Sequence, residues 1–176
     1  MSKAVIVIDV QEAFFENPSC LLHEKEQLVR NINALIEQAR RQAVPVVFIQ
    51  HTEYENPDDE FLIDTPDWQL HRGLNRLESD PVIRKSTPDS FHETDLADYL
   101  REQGIDQLIF AGAQTDFCIN ATIRRAHTLG YKDNILLKDG HSTVVNSVPS
   151  AAQIIEDHEQ SWGGLVAIKP LREIEL

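Results

Sequence analysis

The 176-residue sequence predicts an α/β domain built on parallel strands, and three observations carry that reading. Short apolar runs alternate with amphipathic stretches from end to end, the rhythm of strand–helix–strand units. Several of the runs are unbroken Val/Ile/Leu stretches, as expected of strands covered on both faces. No internal repeat, low-complexity segment or linker interrupts the rhythm, and the length suits one well-filled core, so residues 1–176 are read as a single domain.

The elements follow in order. Ala4–Ile8 is the first strand, an apolar run that ends on Asp9. Leu28, Ile32, Leu35, Ile36 and Ala39 then form one stripe on a helix over Glu24–Gln42, which leads into a second strand, Val44–Ile49. His51 to Asp80 breaks the rhythm: it is acid-rich, carries two prolines and is longer than a connection requires, as substrate-covering loops often are. Pro81–Arg84 is the third strand, ending at Lys85. Leu96, Ala97 and Leu100 mark a helix stopped by Gly104. Gln107–Ala111 is the fourth strand, and Ile119, Ile123, Ala126 and Leu129 place a helix over Thr115–Leu129, stopped by Gly130. Ile135–Leu137 and Leu165–Ile168 complete the strands.

Composition narrows the function classes. With 41% hydrophobic and 26% charged residues the chain is globular rather than disordered. Its formal charge of −13 argues against nucleic acid or an anionic membrane as a partner. Met1-Ser2-Lys3 runs straight into the first strand without a signal-peptide core, and no run approaches transmembrane length. Two cysteines, Cys20 and Cys118, with no CxxC spacing imply no disulfide framework and suit a reducing compartment, so a cytoplasmic protein is expected. Cys20 falls in a loop and carries no chemistry in this reading.

Cys118 is different. It lies in Ala111-Gly112-Ala113-Gln114-Thr115-Asp116-Phe117-Cys118, where a strand passes through a glycine turn into the first turn of a helix. Unpaired N–H groups and the positive end of the helix dipole favour a thiolate there and can hold an oxyanion. In a parallel sheet, ligands bind beyond the carboxyl ends of the strands, so Asp9, Lys85 and Cys118 are expected on one edge although distant in sequence. A lysine beside a thiol favours the anion, which sets the expectation that Cys118 ionises well below the free value of about 8.5. A nearby carboxylate can take the thiol proton and return it to a leaving group. Asp139-Gly140-His141-Ser142-Thr143 follows the fifth strand, which makes His141 a candidate substrate contact.

Four ordered segments also carry a family resemblance: Ala4-Val5-Ile6-Val7-Ile8-Asp9-Val10-Gln11 with Phe14; Thr65-Pro66-Asp67-Trp68-Gln69-Leu70-His71; Val82-Ile83-Arg84-Lys85 with Ser90-Phe91 and Thr94-Asp95-Leu96; and Ala111 to Cys118 continuing through Ala121-Thr122. The chain resembles the isochorismatase-like cysteine hydrolase superfamily. The resemblance implies a Rossmann-like three-layer αβα sandwich with a six-stranded parallel sheet, and an Asp9, Lys85, Cys118 triad. It further implies a cis peptide between Ala113 and Gln114, an oxyanion hole from the amides of Gln114 and Cys118, and aromatic substrate contacts from Phe14, Trp68 and Phe91. The implied activity is hydrolysis of a small-molecule amide through a Cys118 thioester, by a homo-oligomer that needs no cofactor.

Two departures matter. Nicotinamidases of this superfamily carry an Asp-x-His metal motif after the second strand. Here that place reads Gln50-His51-Thr52, so no metal is expected and His51 is read as a loop histidine, with Asp58, Asp59 or Glu53 as its only imaginable co-ligands. True isochorismatases lack the nucleophilic cysteine, so Cys118 argues for acyl chemistry on amides. The alternatives are a metal-assisted nicotinamidase-like amidase, a catalytically idle interaction module, and a nucleotide-binding domain. The last is weakened because Val10-Gln11-Glu12-Ala13 offers no glycine to cradle a phosphate.

Overall fold

The computed structural model describes residues 1–176. Six parallel strands form one sheet in the order β3-β2-β1-β4-β5-β6: β1 Lys3–Ile8, β2 Val46–His51, β3 Val82–Lys85, β4 Gln107–Ala113, β5 Ile135–Ser142 and β6 Ala167–Lys169. Helices α1 (Ala13–Glu16), α2 (Lys25–Arg41), α3 (Leu96–Glu102), α4 (Asn120–Thr128) and α5 (Ala151–Ser161) connect them. The alternation of side chains along each strand divides the core into two layers. Val5, Val7, Phe48 and Ile109 pack against Leu28, Ile32, Leu35 and Ile36 of α2. Ile6, Ile8, Ile49 and Phe110 pack on the other face against Leu96, Leu100, Ile123 and Trp162. The result is the three-layer sandwich that the resemblance implies, built on the parallel strands that the apolar runs predict.

The strand order reverses between β1 and β4, which opens a crevice at their carboxyl ends. Ile8 pairs with Gly112 across that junction, so the residues that follow, Asp9 and the 113–118 turn, leave the sheet side by side. Gly112 has φ +130°, and a Cβ there would strike the Ile8 backbone. Only glycine lets the two strands approach so closely.

Three boundaries differ from the sequence reading in ways that matter for the site. β2 runs on through Gln50 and His51, because Gln50 pairs with Arg84 and His51 with Lys85; two polar residues read as loop are the end of a strand. β5 continues past Leu137 to Ser142, with a register irregularity opposite Phe110–Gly112. The helix expected from Thr115 opens with a wider π turn, Thr115–Ile119, before α4 begins. α5, capped by the Ser150 hydroxyl accepting from the Gln153 amide at 3.3 Å, fills the connection to β6, for which the sequence reading names no helix.

The long 51–80 excursion is tied down along the turn after β1. The Glu12 amide donates to the Gln69 carbonyl (2.8 Å), the Ala13 amide to Asp67 (2.9 Å) and the His71 amide to Val10 (2.8 Å). It therefore lies across the ligand edge of the sheet. No helix of the chain is long and apolar enough to cross a membrane.

Candidate active site

Asp9 leaves β1 in the left-handed region at φ +51°, which aspartate tolerates better than most residues. Lys85 ends β3 and reaches inward across β2. Its ammonium, with no side-chain exposure, lies 2.7 Å from Asp9 Oδ2, 3.2 Å from Cys118 Sγ, 3.1 Å from His51 Nδ1 and 3.0 Å from the Thr87 carbonyl. The three residues predicted to meet are thus joined through one ammonium. The Asp9 contact is an ion pair rather than an aligned hydrogen bond, and both buried carboxylate oxygens keep lone pairs that no donor engages. One of them lies within 4.8 Å of the Cys118 sulfur, free to accept a proton.

The electrostatics correct one expectation. Burial pushes the Cys118 thiol up, the Asp9 carboxylate pushes it further, and Lys85 only partly opposes them, so at neutral pH the resting sulfur is a thiol rather than a thiolate. The lysine and the helix end favour the anion, but the depth of the site outweighs them. Burial works against the Lys85 charge too, yet the Asp9 and Cys118 groups outweigh it and hold its pKa above the ordinary value. The resting site is therefore a buried Asp9–Lys85 ion pair beside a neutral thiol.

The Ala113–Gln114 peptide bond is cis. The Gln114 amide has no acceptor within the protein, and the Gln114 side-chain oxygen lies 3.1 Å from the Thr143 hydroxyl, which is also 2.7 Å from Asp116 Oδ1. That leaves the Gln114 N–H available beside the sulfur-bearing turn, the placement an oxyanion hole requires.

The aromatic candidates separate. Phe14 is buried against Phe61 (ring centroids 5.2 Å), which meets His51 edge-on at 5.5 Å, so Phe14 reaches the site through Phe61. Trp68 is buried as a tie for the excursion: its indole N–H donates to Thr52 Oγ1 (3.0 Å) and its carbonyl accepts from the Gln11 and Gln50 side chains. Phe91 packs in the core of the α3/α4 face with its ring 5.9 Å from Tyr131. His141 does not present its ring to a ligand. Nδ1 pairs with Thr115 Oγ1 at 2.9 Å and Nε2 with Glu159 at 3.2 Å, and the side chain has no exposed surface. Its strand-end position is as expected, but the extension of β5 buries it beneath the π turn.

His51 is the residue that the sequence reading passes over. Its ring stands among the three predicted groups because β2 is longer than its apolar run. The Gln11 side chain clamps its backbone, accepting from the His51 amide (2.8 Å) and donating to the His51 carbonyl (2.9 Å). Asp9, His51 and Cys118 bring oxygen, nitrogen and sulfur within 4.8 Å of one another, donor types that zinc accepts. The Lys85 ammonium, however, sits in contact with all three and supplies the positive charge where an ion would stand, so the set does not fit a resident metal. Glu53 is committed elsewhere, accepting from the amides of Tyr54, Glu55 and Asn56, and Asp59 accepts from the Phe61 amide.

A cavity of about 600 Å³ opens elsewhere, along the β3 edge between Trp68, Arg84 and Thr94. It holds no nucleophile, and neither Asp9, Lys85 nor Cys118 lines it. The chemistry of the side chains, not the size of the hollow, locates the site.

A family model for the isochorismatase domain matches residues 3–161. The chain belongs to the isochorismatase family. Among relatives, isochorismatase family protein YddQ of Bacillus subtilis (strain 168) is 34% identical over 131 residues, covering 74% of this chain and 73% of that protein. Streptothricin hydrolase of Streptomyces noursei is 30% identical over 155 residues, 86% of this chain but 58% of the hydrolase. The crystal structure of an isochorismatase from Pseudomonas putida KT2440 superposes with a TM-score of 0.88 at 27% identity, covering 98% of this chain and 90% of that one. This isochorismatase family member therefore shares the six-stranded α/β fold of its structural neighbours and is a hydrolase of that superfamily.

Proposed function

We propose that this protein hydrolyses a small amide-type C–N bond through a Cys118 thioester. The observation that carries the reading is the buried Lys85 ammonium in contact with both the Asp9 carboxylate and the Cys118 sulfur. Because the resting thiol is neutral, sulfur attack and proton loss belong to one step. As the S–C bond forms, Asp9 takes the thiol proton and the carbonyl π electrons move to oxygen, where the Gln114 and Cys118 amides support the charge. The tetrahedral species collapses, the C–N bond breaks, and Asp9 returns the proton to the leaving nitrogen. Water, deprotonated by Asp9, then attacks the thioester and the departing sulfur recovers the proton. Lys85 remains charged throughout, pairing with Asp9 whenever that carboxylate is ionised and supporting the partial negative charge that builds on sulfur as the S–H bond breaks.

The reading extends to a small substrate entering under the 51–80 excursion, with Phe14 and Phe61 as its apolar wall, and to a single folding domain that self-associates. It is tested with a panel of small amides, ureas and N-carbamoyl compounds, following ammonia or amine release. Release from at least one compound, with an acyl adduct on Cys118 seen by mass spectrometry and lost in Cys118→Ala, is expected. Absence of release and of adduct across the panel, from folded protein, would refute it and favour the idle interaction module.

A further inference from the structure

Three of the four groups around the Lys85 ammonium belong to the chemistry already described or to the backbone; His51 belongs to neither. An ammonium can only donate, so in the 3.1 Å contact His51 Nδ1 is the acceptor, and the neutral ring then carries its proton on Nε2. The contact is enforced from outside the ring. Gln11 clamps the His51 backbone on both sides, the Gln11 side chain is itself fixed to the Trp68 carbonyl at 2.7 Å, and Phe61 packs on the ring edge-on. The register of β2 against β3 sets His51 directly opposite Lys85.

We infer that His51 is a positioning residue, a neutral acceptor that holds the Lys85 ammonium between Asp9 and Cys118, and that protonation of its ring releases that ammonium and shuts the site off in acid. A protonated ring has no acceptor nitrogen and places a second positive charge beside the first. The groups facing the ring are Lys85 on β3, Asp9 after β1, Cys118 on the π turn, and Asp59 and Glu53 on the excursion. Burial and then Lys85 lower its pKa below 6.5, against the three carboxylates, so the ring is neutral at neutral pH and the acceptor is present when the enzyme works. The switch-off therefore lies on the acid side of 6.5. This inference rests on the proposed cysteine mechanism for its effect on turnover, but its structural half does not.

Two variants separate the roles. His51→Asn places an oxygen where Nδ1 stands, an acceptor that does not titrate; His51→Leu keeps bulk and offers no acceptor. In His51→Leu, kcat at neutral pH is expected to fall at least about tenfold with little change in KM, the size of one lost hydrogen bond to a charged group. His51→Asn is expected to keep most of the rate and to lose the histidine component of the acid limb. Independently of any substrate, long-range ¹⁵N–¹H NMR should show the neutral Nε2–H tautomer for His51 at pH 7, with an Nδ1 signal that shifts in Lys85→Met. An Nδ1–H tautomer, a charged ring at pH 7, or Leu and Asn variants with the wild-type rate and acid limb would each overturn the inference. Should no substrate be found, the NMR result decides alone, so failure of the proposed function and failure of this inference remain distinguishable.

Discussion

Replacing Lys85 by Met removes one charge from the centre of the site while keeping much of the stem, and the structure fixes what should follow. At an effective dielectric constant of about 20, unit charges 3.2 Å apart attract by roughly 5 kcal/mol, an upper bound on the support Lys85 gives a Cys118 thiolate. That bound corresponds to between about 3 and 4 pKa units. The thiol already titrates above the working pH, so each further unit costs about tenfold in thiolate, while the more basic sulfur regains roughly half of the logarithm through its nucleophilicity. Alkylation at pH 8 should therefore slow by between about 10- and 100-fold, allowing for relaxation below the bound. The rate is read by iodoacetamide labelling across a pH series, with intact-protein mass spectrometry in a Cys20→Ser background. Lys85 is buried, so the same change leaves the Asp9 carboxylate unpaired and should cost about 3–5 kcal/mol of stability. A urea melt and the double variant Asp9→Asn/Lys85→Met, which removes both charges and should recover much of the stability, keep the experiment interpretable. A folded Lys85→Met protein that alkylates at the wild-type rate throughout the pH series would refute the electrostatic argument.

The remaining expectations follow from the same geometry. Asp9→Asn removes a charge that pushes the thiol up, so alkylation should speed up by at least severalfold while turnover on any amide substrate falls by about 10² or more; parallel loss of both would mean that Asp9 only supports the fold. His51 is depressed in the folded state, so its contribution to stability is complete above the unfolded value of 6.5 and declines as pH falls; denaturant melts between pH 7 and 5 should show that decline, reduced in His51→Asn. Prolonged chelation should leave turnover unchanged, because Lys85 stands among the candidate donors; a loss restored by zinc would contradict that reading of the site. Light scattering should report self-association, and a monomer at working concentration would remove that proposal without touching the chemistry.

How much of this was legible follows from what each feature depends on. The apolar runs at Ala4–Ile8 and Gln107–Ala111 mark strands because a strand covered on both faces must be apolar throughout, and the Gly112 turn is visible because no other residue allows β4 to lie so close to Ile8. Asp9, Lys85 and Cys118 are expected together because each ends or follows a strand of a parallel sheet, and the strands all end on one edge. The same rule applied to His141 fails, since β5 runs several residues beyond its apolar run and turns that ring under the π turn toward Glu159. Applied to β2, a boundary placed at Ile49 hides His51, because Gln50 and His51 join the strand only through pairing with Arg84 and Lys85, a partnership no local pattern encodes. The charge state of Cys118 departs from the expectation for a related reason. A helix end and a lysine are sequence features, whereas burial is a property of the assembled edge, made by the excursion lying across the turn after β1. What the sequence conceals is thus concentrated where strands run past their apolar residues: Gln50-His51 on β2 brings His51 against Lys85, and His141-Ser142 on β5 lies beside Gly112 and Ala113 of β4.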